Sequence, residues 1–124
     1  MKNSIIMLLS LTLAFSIAIP QALSQVAGGY MKAETDDLEV ANAANFAMKA
    51  EEAILRKDNK DAMLSLIKIL EAGKQVVAGV NYKMKLKVNI DGKEKTAEVI
   101  VWKKLDGSYE LTSWKYKKEA VSEN

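Results

Sequence analysis

The sequence predicts an α+β fold in which one α-helix packs across a four- to five-stranded antiparallel β-sheet. Apolar residues recur at helical spacing between Val40 and Ile54, which is typical of a helix with one buried face. Apolar and polar residues then alternate from Tyr82 to Ile90, which is typical of a strand with one face in the core. One helix lying on one antiparallel sheet buries both apolar faces, so the two patterns together predict this architecture.

The first 24 residues have the features of a secretory signal peptide. Lys2 supplies a positive start, an apolar run extends from Ile5 to Ile19, and small residues at Ala22 and Ser24 suit cleavage after Ser24. The run has about 15 residues, fewer than the roughly 20 that cross a membrane. We therefore expect residues 1–24 to be removed on secretion, the alternative being an uncleaved N-terminal anchor.

Residues 25–124 are expected to form one domain with one modest core, and the composition limits what it can do. The chain has no cysteine and no histidine, which excludes a thiol nucleophile, an imidazole base and zinc sites built from those ligands. The acidic residues are scattered, so we expect no enzyme, no metal site and no cofactor. A net charge of +2 argues against nucleic acid as the main partner.

The predicted helix begins near Thr35 or Asp36, whose side chains can cap its first turn. Arg56 and Lys57 suit the negative end of the helix dipole. Small residues dominate the predicted buried face, which lets the helix approach the sheet closely. This face comprises Val40, Ala43, Ala44, Ala47, Ala50 and Ile54, with Phe46 and Ala53 beside it.

Four strands are predicted to follow the helix, and a short additional strand is predicted within residues 29–33. The first long strand alternates imperfectly, so a β-bulge or a twist is expected, with Gly73 as the candidate position. Asp91-Gly92 is a strong signal for a hairpin turn. The long strands are predicted at residues 62–77, 82–90, 96–102 and 109–117.

The turn between the first two long strands is unusually apolar. Hairpin tips are ordinarily filled by polar residues and glycine, yet here Val76, Val77 and Ala78 precede Gly79. An apolar tip on a small protein is costly unless a partner covers it, so the tip is a candidate binding surface. The alternative is that both valines are ordinary strand residues and that the turn lies elsewhere.

The segment from Gln75 to Gly79 resembles the Gln-x-Val-x-Gly loop of the cystatin family, and the following Asn81-Tyr82 is similar as well. Upstream, residues 26–33 resemble the glycine-containing N-terminal segment of secreted cystatins. The run from Ala44 to Met48 is similar to part of the cystatin helix. The resemblance covers residues 26–117.

This resemblance implies a secreted protease inhibitor that acts reversibly, competitively and without covalent chemistry on papain-like (thiol) cysteine proteases of the cathepsin type. Members of the family insert an N-terminal segment and two hairpin loops into the active-site cleft. By resemblance, the protease-binding residues are Val26, Ala27, Gly28 and Gly29, then Gln75, Val76, Val77, Ala78 and Gly79, then Leu105, Asp106 and Gly107.

Two features depart from the family pattern. The second loop usually carries a Pro-Trp pair, but Leu105-Asp106 stands there, while Trp102 and Trp114 are interpreted as sheet or core residues. Buried aromatic anchors are commonly worth about 2 kcal/mol or more, so the resemblance implies weaker or more selective inhibition. The absence of cysteine is closer to the disulfide-free plant or invertebrate cystatins.

The sequence is also compatible with several alternatives. The chain can be a non-inhibitory binding module with the same fold. Asn59 can bind asparaginyl endopeptidase, as an asparagine after the helix does in some cystatins, or it can simply terminate the helix. Lys83, Lys85 and Lys87 can contact a membrane or form a solvated strand face; we expect the solvated face and no membrane partner. We expect a monomer, with a domain-swapped dimer as a further state.

Overall fold

The computed structural model describes residues 29–118. The predicted signal peptide, residues 1–24, and three predicted contact residues, Val26, Ala27 and Gly28, lie outside the described residues. A boundary between two compact units of the chain falls after Met31. The helix and the four long strands belong to the second unit, which begins at Lys32.

Helix α1 spans Leu38–Asp58. Its N-cap is Asp37, whose side chain accepts a hydrogen bond from the Glu39 amide at 2.8 Å. The predicted caps, Thr35 and Asp36, are therefore wrong by one or two residues, because the carboxylate that reaches a free amide of the first turn belongs to Asp37.

The described residues contain five strands, β1 (Met31–Lys32), β2 (Leu64–Val77), β3 (Gly79–Ile90), β4 (Lys93–Lys103) and β5 (Tyr109–Tyr116). They form one sheet in the order β1-β2-β3-β4-β5, and β2 to β5 pair as successive antiparallel neighbours. β1 is continued by Ala33, whose amide donates to the Ala72 carbonyl at 2.9 Å. The predicted fold class, one helix on an antiparallel sheet, is confirmed.

The bulges of β2 lie earlier than the sequence indicated. The register shifts between Leu66 and Lys68 and again between Ile69 and Glu71, whereas Gly73 pairs regularly. Each shift inserts one extra residue, so residues 66, 69 and 72, which are three apart, pair with the core positions Val88, Leu86 and Met84. The prediction that this strand is irregular is confirmed, but the position near Gly73 was wrong, because the need to keep apolar side chains on one face decides where the extra residues go.

The core lies between α1 and the helix-facing side of the sheet. Most of the predicted helix face is buried, but Ile54 is exposed, contrary to expectation. The buried stripe passes from Met48 through Glu51 to the half-buried Leu55, following the 3.6-residue period, and this leaves Ile54 to one side. The fully buried side chains are Val40, Ala43, Ala44 and Ala47 on the helix, with Leu86, Val88, Ala97, Val99 and Val101 on the sheet.

Candidate functional site

The first hairpin, between β2 and β3, ends in an exposed apolar tip. Val77 pairs with Gly79 across the turn, which leaves Ala78 alone between the strands. Val76 is 80% exposed and Val77 is 43% exposed, so neither valine packs beneath the helix. Both are strand residues by their pairing, but the turn follows them directly, and the apolar tip expected from the sequence is present.

Gly79 occupies a position that only glycine fits. Its φ of +102° lies in the left-handed region, which side chains with a Cβ rarely adopt. A Cβ at this position would collide with the Lys103 carbonyl oxygen and lie 3.1 Å from the Trp102 indole nitrogen. The hairpin tip is therefore backed by the end of β4.

Trp102 braces the tip from β4. Its indole Nε1 donates a hydrogen bond to the Ala78 carbonyl oxygen at 2.9 Å, and Lys104 Nζ lies 5.3 Å from its ring centroid. Trp102 is a sheet residue, as interpreted, but it lies on the face opposite the helix because the buried Val101 beside it faces the core. This contact could have been predicted from the sequence. Residues at equal distances from the Asp91-Gly92 turn pair with each other across the hairpin, which places Trp102 opposite Asn81, next to the tip.

A side-chain hydrogen bond joins the two strands of the same hairpin just before its tip, at the pair Gln75 and Asn81. Asn81 Nδ2 donates to Gln75 Oε1 at 2.8 Å, and the two residues stand directly opposite each other on β2 and β3. Gln75, the first residue of the apolar motif, thus ties the two strands together just below the exposed valines. Side-chain hydrogen bonds within the protein therefore hold both the tip of the hairpin and the strand pair next to it.

The second hairpin loop connects β4 to β5 at the same end of the sheet. Asp106 Oδ1 accepts hydrogen bonds from the Ser108 amide at 2.9 Å and the Ser108 hydroxyl at 2.7 Å. These bonds hold the pKa of the Asp106 carboxyl below its ordinary value. Gly107 takes a φ of +91°, and Leu105 is 82% exposed. The turn is tightly closed and points one apolar side chain outward.

An ion pair links this end of the sheet to the start of the helix. Lys103 Nζ lies 3.0 Å from Glu39 Oε1, and this hydrogen bond raises the pKa of Lys103 above its ordinary value. Tyr109 of β5 pairs with Lys103 of β4, and its ring stacks on that of Phe46 of the helix, with ring centroids 5.4 Å apart. Packing from the helix and from β5 thus supports the end of β4 that backs the first hairpin.

The fold brings two of the three predicted contact segments together. Val80 pairs with Lys103, so the tip at Val77 to Gly79 and the loop around Leu105 belong to neighbouring hairpins at one end of the sheet. Gly29, the only described residue of the third segment, has a φ of +84°.

Comparison with known proteins assigns the family. Residues 32–117 match the family described as SQAPI, aspartic acid proteinase inhibitor. The chain belongs to this inhibitor family. Its members are proteinase inhibitors by description, which agrees with the expectation that the chain is not an enzyme.

Two further similarities support the cystatin resemblance, which is confirmed. L-cystatin of Tachypleus tridentatus is 34% identical over 68 residues, which are 55% of this chain and 49% of that protein. The chain thus spans about half the length of the curated relative it matches. The crystal structure of Al-CPI matches with a TM-score of 0.59 and 20% identity, covering 73% of this chain and 100% of the other, and shows a shared fold.

In this member of the family, Asn59 has a structural role. Its backbone amide donates to the Leu55 carbonyl at 3.1 Å, and its side-chain Oδ1 accepts from the Asp61 amide at 3.0 Å. These bonds close the helix and form the turn that leads to β2, which supports the interpretation of Asn59 as a helix terminator. Binding of asparaginyl endopeptidase through Asn59 stays a prediction.

Two other features, a metal-binding cluster and a membrane-spanning helix, are absent from residues 29–118. No group of three or more histidine, cysteine, aspartate or glutamate side chains in this part of the chain is arranged to hold a metal ion. No helix in the same residues combines the length and the apolar character needed to cross a membrane.

Proposed function

We propose that this protein is a reversible, competitive, non-covalent inhibitor of papain-like cysteine endopeptidases of the cathepsin type. The observation that carries the proposal is the exposed apolar tip of the first hairpin, which is held rigid from behind. Val76 and Val77 project from the sheet while Gly79 and Ala78 are locked against β4. Exposing apolar side chains to water is unfavourable in free energy. A partner that covers this edge removes that cost.

Inhibition by such a tip requires no reactive group. Nanomolar binding needs about 12 kcal/mol of free energy. Part of the cost of association is the ordering of loops, and a tip that is already ordered avoids much of it. The bonds from Asn81 to Gln75 and from Trp102 to Ala78 supply that order in the free protein.

The same restraint explains how the tip would resist cleavage. A protease cleaves a segment that extends along its active site and presents a free carbonyl to the nucleophile. In this hairpin the Ala78 carbonyl already accepts the Trp102 indole hydrogen, and Gly79 holds a left-handed turn. The tip would fill the groove without taking up the extended shape of a substrate.

The proposed contact surface has two further parts. The loop of Leu105, Asp106 and Gly107 would touch the primed side of the cleft, with the exposed Leu105 as its apolar contact. The residues from Val26 to Gly29 would occupy the non-primed side, as the family resemblance implies. A segment that becomes ordered only on binding pays an entropic cost, so we propose that residues 26–29 tune affinity more than decide it.

The family description favours a second target class. The matched family is described by inhibition of aspartic acid proteinases, so an aspartic proteinase is the alternative target. The two classes are separated by measuring inhibition of papain and of pepsin with the same preparation. Inhibition of neither enzyme at micromolar protein would favour a non-inhibitory binding module instead.

The test of the proposal compares two substitutions on one strand. Val77→Asp places a charge on the tip, whereas Ile67→Asp places the same charge at a residue of equal exposure, 45% against 43%, ten positions away on β2. We expect the purified protein and Ile67→Asp to inhibit papain competitively and Val77→Asp to lose inhibition. Equal inhibition by both variants would refute the assignment to this tip.

We further propose that the protein is secreted after removal of residues 1–24 and acts as a monomer. Expression in a secreting host followed by N-terminal sequencing is expected to show Gln25 as the first residue. Gel filtration is expected to give a monomer, with a domain-swapped dimer as a slowly formed second species. Retention of Lys2 in the secreted protein, or a dimer alone, would contradict these expectations.

A further inference from the structure

Charge is distributed unevenly between the helix segment and the sheet. Residues 33–63 contain eight acidic and four basic residues, whereas residues 64–118 contain twelve lysines and six acidic residues. The nearly neutral total of +2 therefore hides a negative helix layer and a positive sheet. A field of one sign on one surface attracts ligands of the opposite sign, although the net charge is small.

Three lysines, Lys68, Lys87 and Lys117, form a line across the strands on the sheet face opposite the helix. Lys68 of β2 pairs with Lys87 of β3, and Lys87 pairs with Thr96 of β4. The Lys117 amide donates to the Thr96 carbonyl at 2.8 Å, which places Lys117 at the next position along the line. With neighbouring strands about 4.8 Å apart, these three lysines span roughly 14 Å.

The pairing of Lys68 with Lys87 is electrostatically unfavourable. Like charges directly opposite each other on neighbouring strands destabilise a sheet. Among the described residues Lys68 forms no ion pair, and Lys87 reaches only Glu94, at 3.9 Å. The cost of this pair is relieved when an anion lies across it.

A groove runs beside this line. It has a volume of about 440 Å³, and its lining includes one acidic residue, Glu94, and one apolar residue, Leu70, which the second bulge of β2 leaves without a strand partner. The lysines that line it are Lys85, Lys87, Lys95, Lys117 and Lys118.

The ion pairs around the groove are weak competitors for a ligand. Lys85 lies 3.4 Å from Glu71, and Lys117 lies 3.7 Å from Glu98. All four side chains are partly exposed to solvent, and exposed pairs of this kind contribute little to stability. The lysines are therefore free to exchange their acidic neighbours for an external anion.

We propose that this lysine groove binds a linear anionic polysaccharide, a chain that carries sulfate or carboxylate groups at regular intervals. The charges are arranged in a line that crosses the strands, which suits an extended polyanion better than a single small anion. Lysine is a compact, hydrated point charge that makes contacts without strict direction, as repeated sulfates require. The binding is independent of the inhibitory tip, which lies at the end of the sheet near Gly79.

Other polyanions fit the groove less well. Single-stranded nucleic acid binds through aromatic side chains that stack on its bases, and the described residues that line this groove include no aromatic one. A membrane surface favours apolar side chains that project beyond the basic ones, whereas Leu70 is half-buried in the groove lining. A sulfated or carboxylated polysaccharide requires neither feature.

The experiment measures binding of the secreted protein to heparin, used as a linear sulfated polysaccharide, by calorimetry at several salt concentrations. We expect affinity to fall steeply with salt, because binding releases counterions. Lys87→Glu and Lys117→Glu are expected to weaken binding several-fold, while the control Lys49→Glu, which changes the net charge equally on the helix, leaves it nearly unchanged. Equal loss in all three variants would overturn the proposal, as would binding to anionic phospholipid vesicles in place of heparin.

A second variant tests the repulsion directly. Lys68→Glu replaces a like-charge pair with an attractive one, so we expect the melting temperature of the free protein to rise while heparin affinity falls. Heparin is also expected to raise the melting temperature of the unmodified protein more than that of Lys68→Glu. A fall in melting temperature for this variant, or unchanged heparin affinity, counts against the groove. Papain inhibition by Lys87→Glu is expected to match the parent protein, which separates this site from the hairpin tip.

Discussion

The indole Nε1 of Trp102 donates a hydrogen bond to the carbonyl oxygen of Ala78 at 2.9 Å, and so fastens the tip of one hairpin to the neighbouring strand. The two residues are 24 positions apart in the chain. Gly79 makes the approach possible because a side chain there would collide with the Lys103 backbone. The shape of the proposed inhibitory surface therefore depends on β4 as much as on the motif itself.

Trp102→Phe is predicted to weaken inhibition while leaving the fold intact. The phenyl ring preserves most of the packing but cannot donate to Ala78, and a net hydrogen bond is worth about 1 kcal/mol, so the inhibition constant should rise about fivefold. The control is Trp114→Phe, on the strand next to β4 and on its helix-facing side. Inhibition titrations and thermal melts are measured for both, and an unchanged inhibition constant for Trp102→Phe would show that the bond does not position the tip.

Gly79→Ala is predicted to be far more damaging than the same change at two other turns. Gly92 and Gly107 also have positive φ, but a Cβ there meets nothing within 4 Å, so each substitution costs only the left-handed strain of about 1–2 kcal/mol. At Gly79 the collision with Lys103 adds to that strain and displaces the tip. Chemical denaturation and papain inhibition of the three variants check this, and equal losses of stability would contradict the crowding seen at Gly79.

Tyr116→Phe is predicted to lower the free energy of unfolding, because it removes a hydrogen bond between β5 and the helix. Glu51 is 7% exposed and its Oε2 accepts the Tyr116 hydroxyl hydrogen at 2.8 Å, which joins α1 to β5. Without the hydroxyl, a buried carboxylate oxygen loses this donor, at a cost of about 1–3 kcal/mol in the free energy of unfolding. Urea denaturation measures the difference, and a variant as stable as the parent would show that the bond is replaced by solvent.

The same tyrosine is predicted to make stability fall at alkaline pH. Burial, and then the hydrogen bond to Glu51, raise the pKa of Tyr116 well above its ordinary value. The unfolded state therefore loses this proton first, so the stabilisation is complete below the unfolded pKa of about 10 and declines as pH rises beyond it. Denaturation between neutral pH and pH of about 11 is expected to show a shallower decline for Tyr116→Phe; parallel curves for both proteins would refute the linkage.

Asn59→Gln is predicted to separate the two interpretations of that residue. A longer side chain cannot reproduce the turn made with Asp61, so a structural role predicts a small loss of stability and unchanged inhibition of papain. A binding role predicts that inhibition of asparaginyl endopeptidase is present in the parent protein and lost in the variant. Absence of inhibition in the parent would remove Asn59 from the contact surface.

Local patterns in the sequence indicated most of the secondary structure correctly. The alternation from Tyr82 to Ile90 and the Asp91-Gly92 turn predicted β3 and its hairpin with β4, because a half-buried strand needs period two and a tight turn needs positive φ. The helix N-cap is Asp37 and the bulges lie at Ile67 and Leu70, and the prediction from the sequence placed both the cap and the bulge incorrectly. Several neighbouring residues are locally compatible with the same role. Choosing among them depends on which arrangement keeps the apolar side chains on the core.

The sequence by itself determined the helix, the order of the strands and the apolar motif from Gln75 to Gly79, because each is encoded by neighbouring residues and by short-range backbone preferences. Only the tertiary structure decided that Trp102 braces Ala78, that Glu51 meets Tyr116, and that Lys68 opposes Lys87. These pairs are 24, 65 and 19 positions apart, so their meeting depends on strand register and on packing between layers. Register is set by how the whole apolar face is buried, and no single segment of the chain contains that information.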